Sequence, residues 1–181
     1  MTLPSNTLEF VRQRAGFACE FCGITEIDAG NRLTIDHFQP GKHGGNDHSD
    51  NLIYACFPCN QYKRDFWPAT SEAVPLWNPR QEAFNQHFLE LNDGMLTALT
   101  AVGTFTMRRL RLNRPQLVQH RLHKRQQQEL VRVLQQYREQ VGLLEQLNQE
   151  LSRQINEQRE LLQTERELLR LLLADDNEEI L

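Results

Sequence analysis

The stretch from Cys19 to Asn60 reads CEFCGITEIDAGNRLTIDHFQPGKHGGNDHSDNLIYACFPCN, and a C-x-x-C pair lies near each end of it. Cys19 and Cys22 form the first pair, and Cys56 and Cys59 form the second, with 33 residues between the pairs. Two such turns can each offer two thiolates to one tetrahedral Zn²⁺. An all-cysteine site is closed, so the spacing predicts a structural zinc that clamps both ends of the intervening segment. Four unrelated buried thiols are the alternative.

The clamped segment contains a recognisable order of short motifs. They are Cys19-x-x-Cys22, Ile35-Asp36-His37-Phe38-x-Pro40, Gly44-Gly45, Asn51-Leu52, Cys56-x-x-Cys59-Asn60 and Lys63. Together they resemble the HNH endonuclease family, whose motif spacing is matched by the eight residues between Asn51 and Asn60. No single motif is specific, but all of them occur in order within fewer than fifty residues.

The resemblance implies a ββα-metal fold, in which two strands and a helix hold one divalent cation. It implies that His37 is the general base, that Asp36 and Asn60 are ligands of the catalytic metal, and that Asn51 braces the loop presenting His37. The family name expects histidine where this chain has Asn60, an exchange that also occurs within the family.

Independently of the resemblance, the chemistry of these side chains suits phosphodiester hydrolysis. A neutral imidazole can take a proton from water near pH 7. Carboxylate and amide oxygens favour a hard cation such as Mg²⁺ or Mn²⁺, which can stabilise developing negative charge.

A weaker resemblance, to an extension found in a bacterial subgroup of HNH proteins, continues from Trp77 to Pro115. We expect residues 67–80 to be irregular, because this stretch contains three prolines, and residues 88–107 to form a hairpin around Asn92-Asp93-Gly94. A helix over Thr104 to Leu112 is the alternative for the end of this hairpin. Met107 to Arg125 is a basic stripe without acidic residues. Candidate nucleic-acid contacts are Lys63, Arg64, Arg108, Arg109, Arg111 and Arg114. Plain solvent-exposed charge is the alternative for all of them.

The last third of the chain predicts a long helix over residues 115–174. Apolar residues recur at alternating steps of four and three, with Leu134, Val141 and Ile155 at heptad position a. Asn148 also falls at position a, where a polar residue can fix register in coiled coils. The pattern favours a homo-oligomer, such as a dimer, although a surface helix folded back on the head is the alternative.

The fold class that we predict is α+β, with a zinc-stapled ββα-metal head, a short β-hairpin extension and a long C-terminal coiled-coil helix. The expected domains are residues 1–66, 67–114 and 115–174, followed by an acidic tail at 175–181. Residues 1–125 contain 14 Lys and Arg against 12 Asp and Glu, whereas the remainder contains 6 against 12. No apolar run is long enough to span a membrane and no secretory signal is evident, so we expect a cytoplasmic location.

Three functions fit the sequence to different degrees. The leading interpretation is a nuclease that cuts double-stranded DNA using a catalytic Mg²⁺ or Mn²⁺. The second is a non-catalytic zinc-stabilised DNA-binding module that oligomerises or recruits partners through its coiled coil. The set Asp36, His37 and Asn60 favours the enzyme, because a binder does not need it. The third is an RNA-cutting enzyme, for which no 2′-hydroxyl sensor can be identified.

Overall fold

The structure, a computed structural model, describes the backbone of residues 3–175 and the side chains of residues 3–170. It is a mixed helical and sheet fold with two small antiparallel hairpins and a long C-terminal helix, which confirms the predicted fold class. The elements in chain order are α1 (Ser5–Arg14), α2 (Glu26–Ala29), β1 (Thr34–His37), β2 (Leu52–Ala55), α3 (Phe57–Lys63), α4 (Phe84–His87), β3 (Phe88–Glu90), β4 (Leu96–Ala98), α5 (Ala101–Arg109) and α6 (Pro115–Asp175).

The first hairpin and α3 form a ββα unit. β1 runs antiparallel to β2, with Thr34 opposite Ala55 and His37 opposite Leu52. Every residue of β2 is buried. Side chains alternate between the two faces of a strand, and accordingly Leu52 packs with Val11 of α1 while Ile53 packs in the main core. This burial on both faces fixes the register that places Asp36 and His37.

The main core joins the cysteine pairs to the extension that follows them. Its buried members include Cys19, Phe21, Ile53, Ala55, Cys56, Cys59, Leu76, Trp77, Phe88, Leu96, Leu110, Leu112 and Leu117. No helix or strand occurs between residues 64 and 83 of the described chain, as the prolines indicated. This irregular segment still supplies Trp77, whose amide N–H donates to Thr106 Oγ1 at 2.8 Å.

The second hairpin is shorter than the sequence indicated. We predicted it over residues 88–107, but the strands end at Ala98 and α5 begins at Ala101. Thr100 ends the hairpin because its Oγ1 accepts a hydrogen bond from Gly103 N and caps α5. The turn lies at the predicted place, and Gly94 there has φ +78°. A Cβ on Gly94 would lie 2.9 Å from the Val118 carbonyl oxygen, so the turn requires glycine.

The long helix was predicted over residues 115–174 and is observed over Pro115–Asp175. By packing, the chain divides into two compact units, Met1–Arg125 and Gln126–Leu181, so the first turns of α6 belong to the head. In the second unit the apolar heptad residues are about half exposed, for example Leu134 and Val141. Residues 176–181 of the predicted acidic tail lie outside the described residues. Within the described part, no helix combines the length and apolarity that crossing a membrane requires.

Candidate active site

The four cysteines meet at one point in the head. Their Sγ atoms all lie within 4.8 Å of one another, and three of the four residues are buried. Cys22 Sγ and Cys56 Sγ are 3.7 Å apart. Four sulfurs around Zn²⁺ at Zn–S distances of about 2.3 Å would be separated by roughly 3.8 Å. The arrangement can therefore hold a tetrahedral zinc ion, and all four thiols are free rather than paired as disulfides.

Local backbone geometry brings the cysteines together. In the first pair, Cys19 N donates to Ile24 O at 2.8 Å, and Gly23, with φ +77°, donates to Cys19 O at 2.8 Å. In the second pair, Cys56 is the N-cap of α3 and Cys59 lies in its first turn. The strand β2 leads directly into Cys56, so the fold of the ββα unit and the closure of the cysteine cluster are coupled.

Repulsion among the four cysteine thiolates favours a bound cation at this cluster. Contact with Cys22 lowers the pKa of Cys19, and contact with Cys19 lowers the pKa of Cys56. Contact with Cys19 raises the pKa of Cys22 and of Cys59. Neighbouring thiolates repel, so four of them can ionise together only when a positive charge lies among them.

Arg114 supplies positive charge beside the sulfurs. Its guanidinium Nη2 lies 3.7 Å from Cys56 Sγ and 3.6 Å from Cys59 Sγ. Burial, the largest single effect, lowers the pKa of Arg114, but attraction to the sulfurs of Cys59, Cys22 and Cys56 together outweighs burial and raises the pKa overall. The side chain also donates to Leu110 O at 3.1 Å. Arg114 was a candidate DNA contact, and here it faces the cysteine cluster instead.

Asn60 is oriented by a chain of hydrogen bonds. Its Nδ2 donates to Thr34 Oγ1 at 3.2 Å, and Thr34 Oγ1 donates to Ala55 O at 3.0 Å. Because the Thr34 hydroxyl proton is used by Ala55, the hydroxyl oxygen can only accept from Asn60. The Asn60 carbonyl oxygen Oδ1 is then left without a donor among the described residues, as a metal ligand requires.

Asp36 lies two residues after Thr34 on the same strand, so both side chains are on the same face of the hairpin. Lys63 Nζ lies 2.7 Å from Asp36 Oδ2. The angle of this contact does not make a hydrogen bond, and within residues 3–170 this buried oxygen has no hydrogen-bond partner. Oδ2 is nevertheless covered by the buried ammonium of Lys63, so the oxygen that Asp36 can offer to a cation is the other one, on a side chain that is 20% exposed.

Lys63 is fully buried, with 0% of its surface exposed. Its ammonium donates to His37 O at 2.7 Å and to Arg64 O at 3.3 Å, in addition to the Asp36 contact. The end of α3 is thereby tied to the backbone and side chains of β1. Burial leaves no surface through which Lys63 would touch a phosphate, which was the role considered for it from the sequence.

His37 ends β1 and is partly exposed. Its Nε2 contacts Asp47 Oδ1 at 2.7 Å. Asn51 lies beside this loop, where Oδ1 accepts from Gln39 N at 2.8 Å and Nδ2 donates to Asn46 O at 2.8 Å. These contacts are those expected of a residue that braces the loop next to His37.

The remaining candidate DNA contacts divide into internal and exposed residues. Arg109 Nη2 donates to Lys63 O at 3.1 Å, and its guanidinium lies 4.3 Å from the centre of the Phe66 ring. Arg64, Arg108 and Arg111 are exposed. Within the basic stripe, Arg109 and Arg114 therefore have internal contacts whereas Arg108 and Arg111 are exposed, a distinction that composition alone does not make.

Two residues at the site were not predicted from the sequence. Thr34 had a usable signal, since a residue two positions before Asp36 on a strand shares its face. Asp47 had none, because its contact with His37 depends on the path of a glycine-rich loop.

The comparison with known families agrees with this geometry. Residues 19–66 match a family model described as HNH endonuclease. No curated protein and no solved structure matches the chain.

Proposed function

With residues 19–66 forming an HNH segment, we propose that this protein is a metal-dependent endonuclease that hydrolyses phosphodiester bonds of DNA. The observation that carries the proposal is the hydrogen bond from Asn60 Nδ2 to Thr34, which brings the Asn60 amide beside the strand face that carries Asp36, one residue before His37 at the end of β1. Asn60 Oδ1 and the Asp36 oxygen that does not face Lys63 are the two ligand atoms that this arrangement offers to a cation.

Asp36 and Asn60 would hold the catalytic ion, for which Mg²⁺ and Mn²⁺ fit an all-oxygen ligand set. When bound, the ion supplies positive charge that stabilises the developing negative charge on the phosphate and the leaving oxygen. Lys63 forms an ion pair with Asp36 Oδ2 at 2.7 Å and so holds the orientation of that carboxylate. Asn51 holds the loop that follows β1 and so limits the movement of His37.

His37 acts as the general base in this proposal. It accepts the proton of a water molecule as the water attacks phosphorus, and the leaving 3′ oxygen departs on the opposite side. Imidazole is suited to this step because it can exchange a proton near neutral pH. A general base of this kind contributes about 10²- to 10⁴-fold to a rate.

The four cysteines would hold a separate, structural zinc. A site with four thiolates has no open position for water or substrate, so this ion takes no part in the reaction. Its role is to fix the junction between β2, which pairs with the strand that carries Asp36 and His37, and α3, which carries Asn60.

DNA contacts are assigned to Arg64, Arg108 and Arg111, which are exposed arginines of the head. They would neutralise backbone phosphates without reading sequence. Charge reversal of Arg108 and Arg111 together should reduce the salt dependence of DNA binding by about one unit of slope per lost phosphate contact. An unchanged slope would remove both from the interface.

Self-association through residues 126–170 completes the proposal. The heptad residues of this helix are half exposed, whereas apolar seams of coiled coils are covered by another helix. Two heads per assembly would allow both strands of a duplex to be cut.

The test is cleavage of supercoiled plasmid in Mg²⁺ or Mn²⁺, with EDTA and a His37→Ala variant as controls. We expect metal-dependent conversion that His37→Ala slows by about 10²-fold or more. Open-circular product alone indicates nicking, and rapid linear product indicates that both strands are cut. If wild-type protein binds the plasmid but converts none of it, the nuclease proposal fails and the non-catalytic DNA-binding module replaces it.

A further inference from the structure

The contact between His37 and Asp47 assigns the proton on the imidazole. His37 Nε2 and Asp47 Oδ1 are 2.7 Å apart. A carboxylate can only accept hydrogen bonds, so in the neutral ring the proton lies on Nε2 and points to Asp47. Nδ1 is then the nitrogen with a free lone pair, which is the atom that can accept a proton from water.

The loop that carries Asp47 is fixed on its N-terminal side. Asn51 Nδ2 donates to Asn46 O at 2.8 Å and to Gln39 O at 3.0 Å. The residue before Asp47 is thereby tied to the residue two places after His37. The side-chain amide of Asn51 therefore links the backbone next to Asp47 with the backbone that follows His37.

Gly45 shows how closely this loop approaches Gln39, two residues after His37. A Cβ at this position would lie 1.7 Å from the carbonyl oxygen of Gln39 and 3.0 Å from Asn51 Nδ2. Any residue other than glycine would push the loop outward and take Asp47 with it. The path of the backbone, as well as the Asp47 side chain, is thus fitted to His37.

Stability does not explain this pair. The side chains of His37 and Asp47 are 33% and 56% exposed, and exposed ion pairs contribute little to folding. The consequence of the contact lies instead in the orientation and tautomer of the ring.

We propose that Asp47 is a positioning residue that holds His37 in the Nε2–H tautomer, with Nδ1 presented as the base. The catalytic meaning of this role rests on the proposed nuclease function. The tautomer itself does not, since it follows from a contact within the protein.

The experiment compares Asp47→Asn with Asp50→Asn in the full-length protein. Asp50 is a matched control because it lies in the same loop, loses the same charge on substitution and contacts a different histidine, His48, at 3.4 Å. An asparagine at position 47 can accept or donate, so it no longer selects one tautomer. Asp47→Glu tests whether a carboxylate restores the effect.

The first readout is independent of cleavage. Long-range ¹⁵N–¹H correlation spectra of histidine-labelled protein at about pH 8.5, where imidazoles are largely neutral, report the tautomer of each ring. His37→Ala identifies the His37 signals. We expect one Nε2–H form in wild type and in Asp50→Asn, and a mixture with a clear Nδ1–H fraction in Asp47→Asn. The same tautomer ratio in Asp47→Asn as in wild type would overturn the proposal.

The second readout is plasmid cleavage. We expect Asp47→Asn to lower kcat about tenfold with little change in KM, a fraction of the loss caused by removing the base. Asp47→Glu should recover part of this loss, and Asp50→Asn should cleave as wild type does. Equal losses in Asp47→Asn and Asp50→Asn would refute a specific role for Asp47. A tautomer change without any wild-type cleavage would sink the nuclease proposal while leaving the His37–Asp47 assignment in place.

Discussion

At the scale of single residues, the direction of one hydroxyl proton decides which atom of Asn60 is available to a metal. Thr34 donates to Ala55 O and therefore accepts from Asn60 Nδ2, which turns Oδ1 outward. Without that acceptor the amide can rotate and present its NH₂ group, which repels a cation. If Asn60 holds the proposed metal, Thr34 acts on that metal through Asn60.

This orientation predicts the behaviour of a Thr34→Val variant. Valine keeps the shape of threonine but cannot accept from Asn60, so we expect Mn²⁺ affinity to fall about tenfold, as is typical when a residue behind a metal ligand is lost. Thr34→Ser keeps the hydroxyl and should bind Mn²⁺ as wild type does. Electron paramagnetic resonance of free Mn²⁺ measures both. Equal affinities for Thr34→Val and wild type would contradict this role for Thr34.

The role of a residue could be predicted when a local sequence motif determines it, and could not be predicted when its contacts in the folded protein determine it. The pairing of the cysteines and the order of motifs around His37 and Asn60 are local, and they were readable from the sequence. Lys63 was not, because a lysine after a motif reads as a surface charge until its burial is known. Asp47 was not predicted either, because its contact with His37 depends on the path of the loop between them.

At the scale of elements, the junction between α5 and α6 packs against the second cysteine pair. Arg111 lies over the Tyr62 ring at 4.8 Å, and Asn113 Oδ1 accepts from Leu96 N at 2.8 Å. Leu112 is buried and Pro115 begins α6. Each residue from Arg111 to Pro115 therefore has a structural contact or position, although the sequence showed only a basic stripe.

The same junction predicts that Arg114 tightens the binding of zinc. Replacing Arg114 with glutamine removes the positive charge beside Cys56 and Cys59, and we expect zinc affinity to fall roughly tenfold. Arg111→Gln is the matched control, because it removes a nearby arginine whose contact is with Tyr62. Competition with a chromogenic zinc chelator measures both variants. Equal affinities for Arg114→Gln and Arg111→Gln would show that the thiolates do not depend on Arg114.

At the scale of the whole molecule, the helical unit differs from the head in what its apolar residues contact. Leu144 and Leu151, at heptad position d, are 59% and 46% exposed, whereas the core leucines of the head are almost completely buried. Their periodicity could be predicted from sequence because it repeats along one element. The helix that would cover them could not be predicted, because the sequence of one chain does not specify the number or the orientation of the helices that associate.

Association through this seam predicts different effects for two neighbouring leucines. Leu144→Glu places a carboxylate in the seam of each strand, and we expect it to weaken self-association about a hundredfold or more. Leu143→Glu is the matched control, because Leu143 lies at position c and is also exposed. Sedimentation equilibrium over a range of concentrations measures both. A monomeric wild type, or equal weakening by the two variants, would contradict the proposed seam.

The shared core of the head limits where residues 19–66, which match the HNH endonuclease model, can be cut from the rest of the chain. Residues 19–66 place Cys56 and Cys59 in the same buried cluster as Trp77, Leu110 and Leu117, which lie beyond that segment. A fragment ending at residue 66 would expose this apolar surface to water and lose Arg114 from the sulfurs. The smallest fragment that keeps this core intact therefore extends to Arg125. We expect truncations or fusions made at that boundary to fold as the head does in the whole chain.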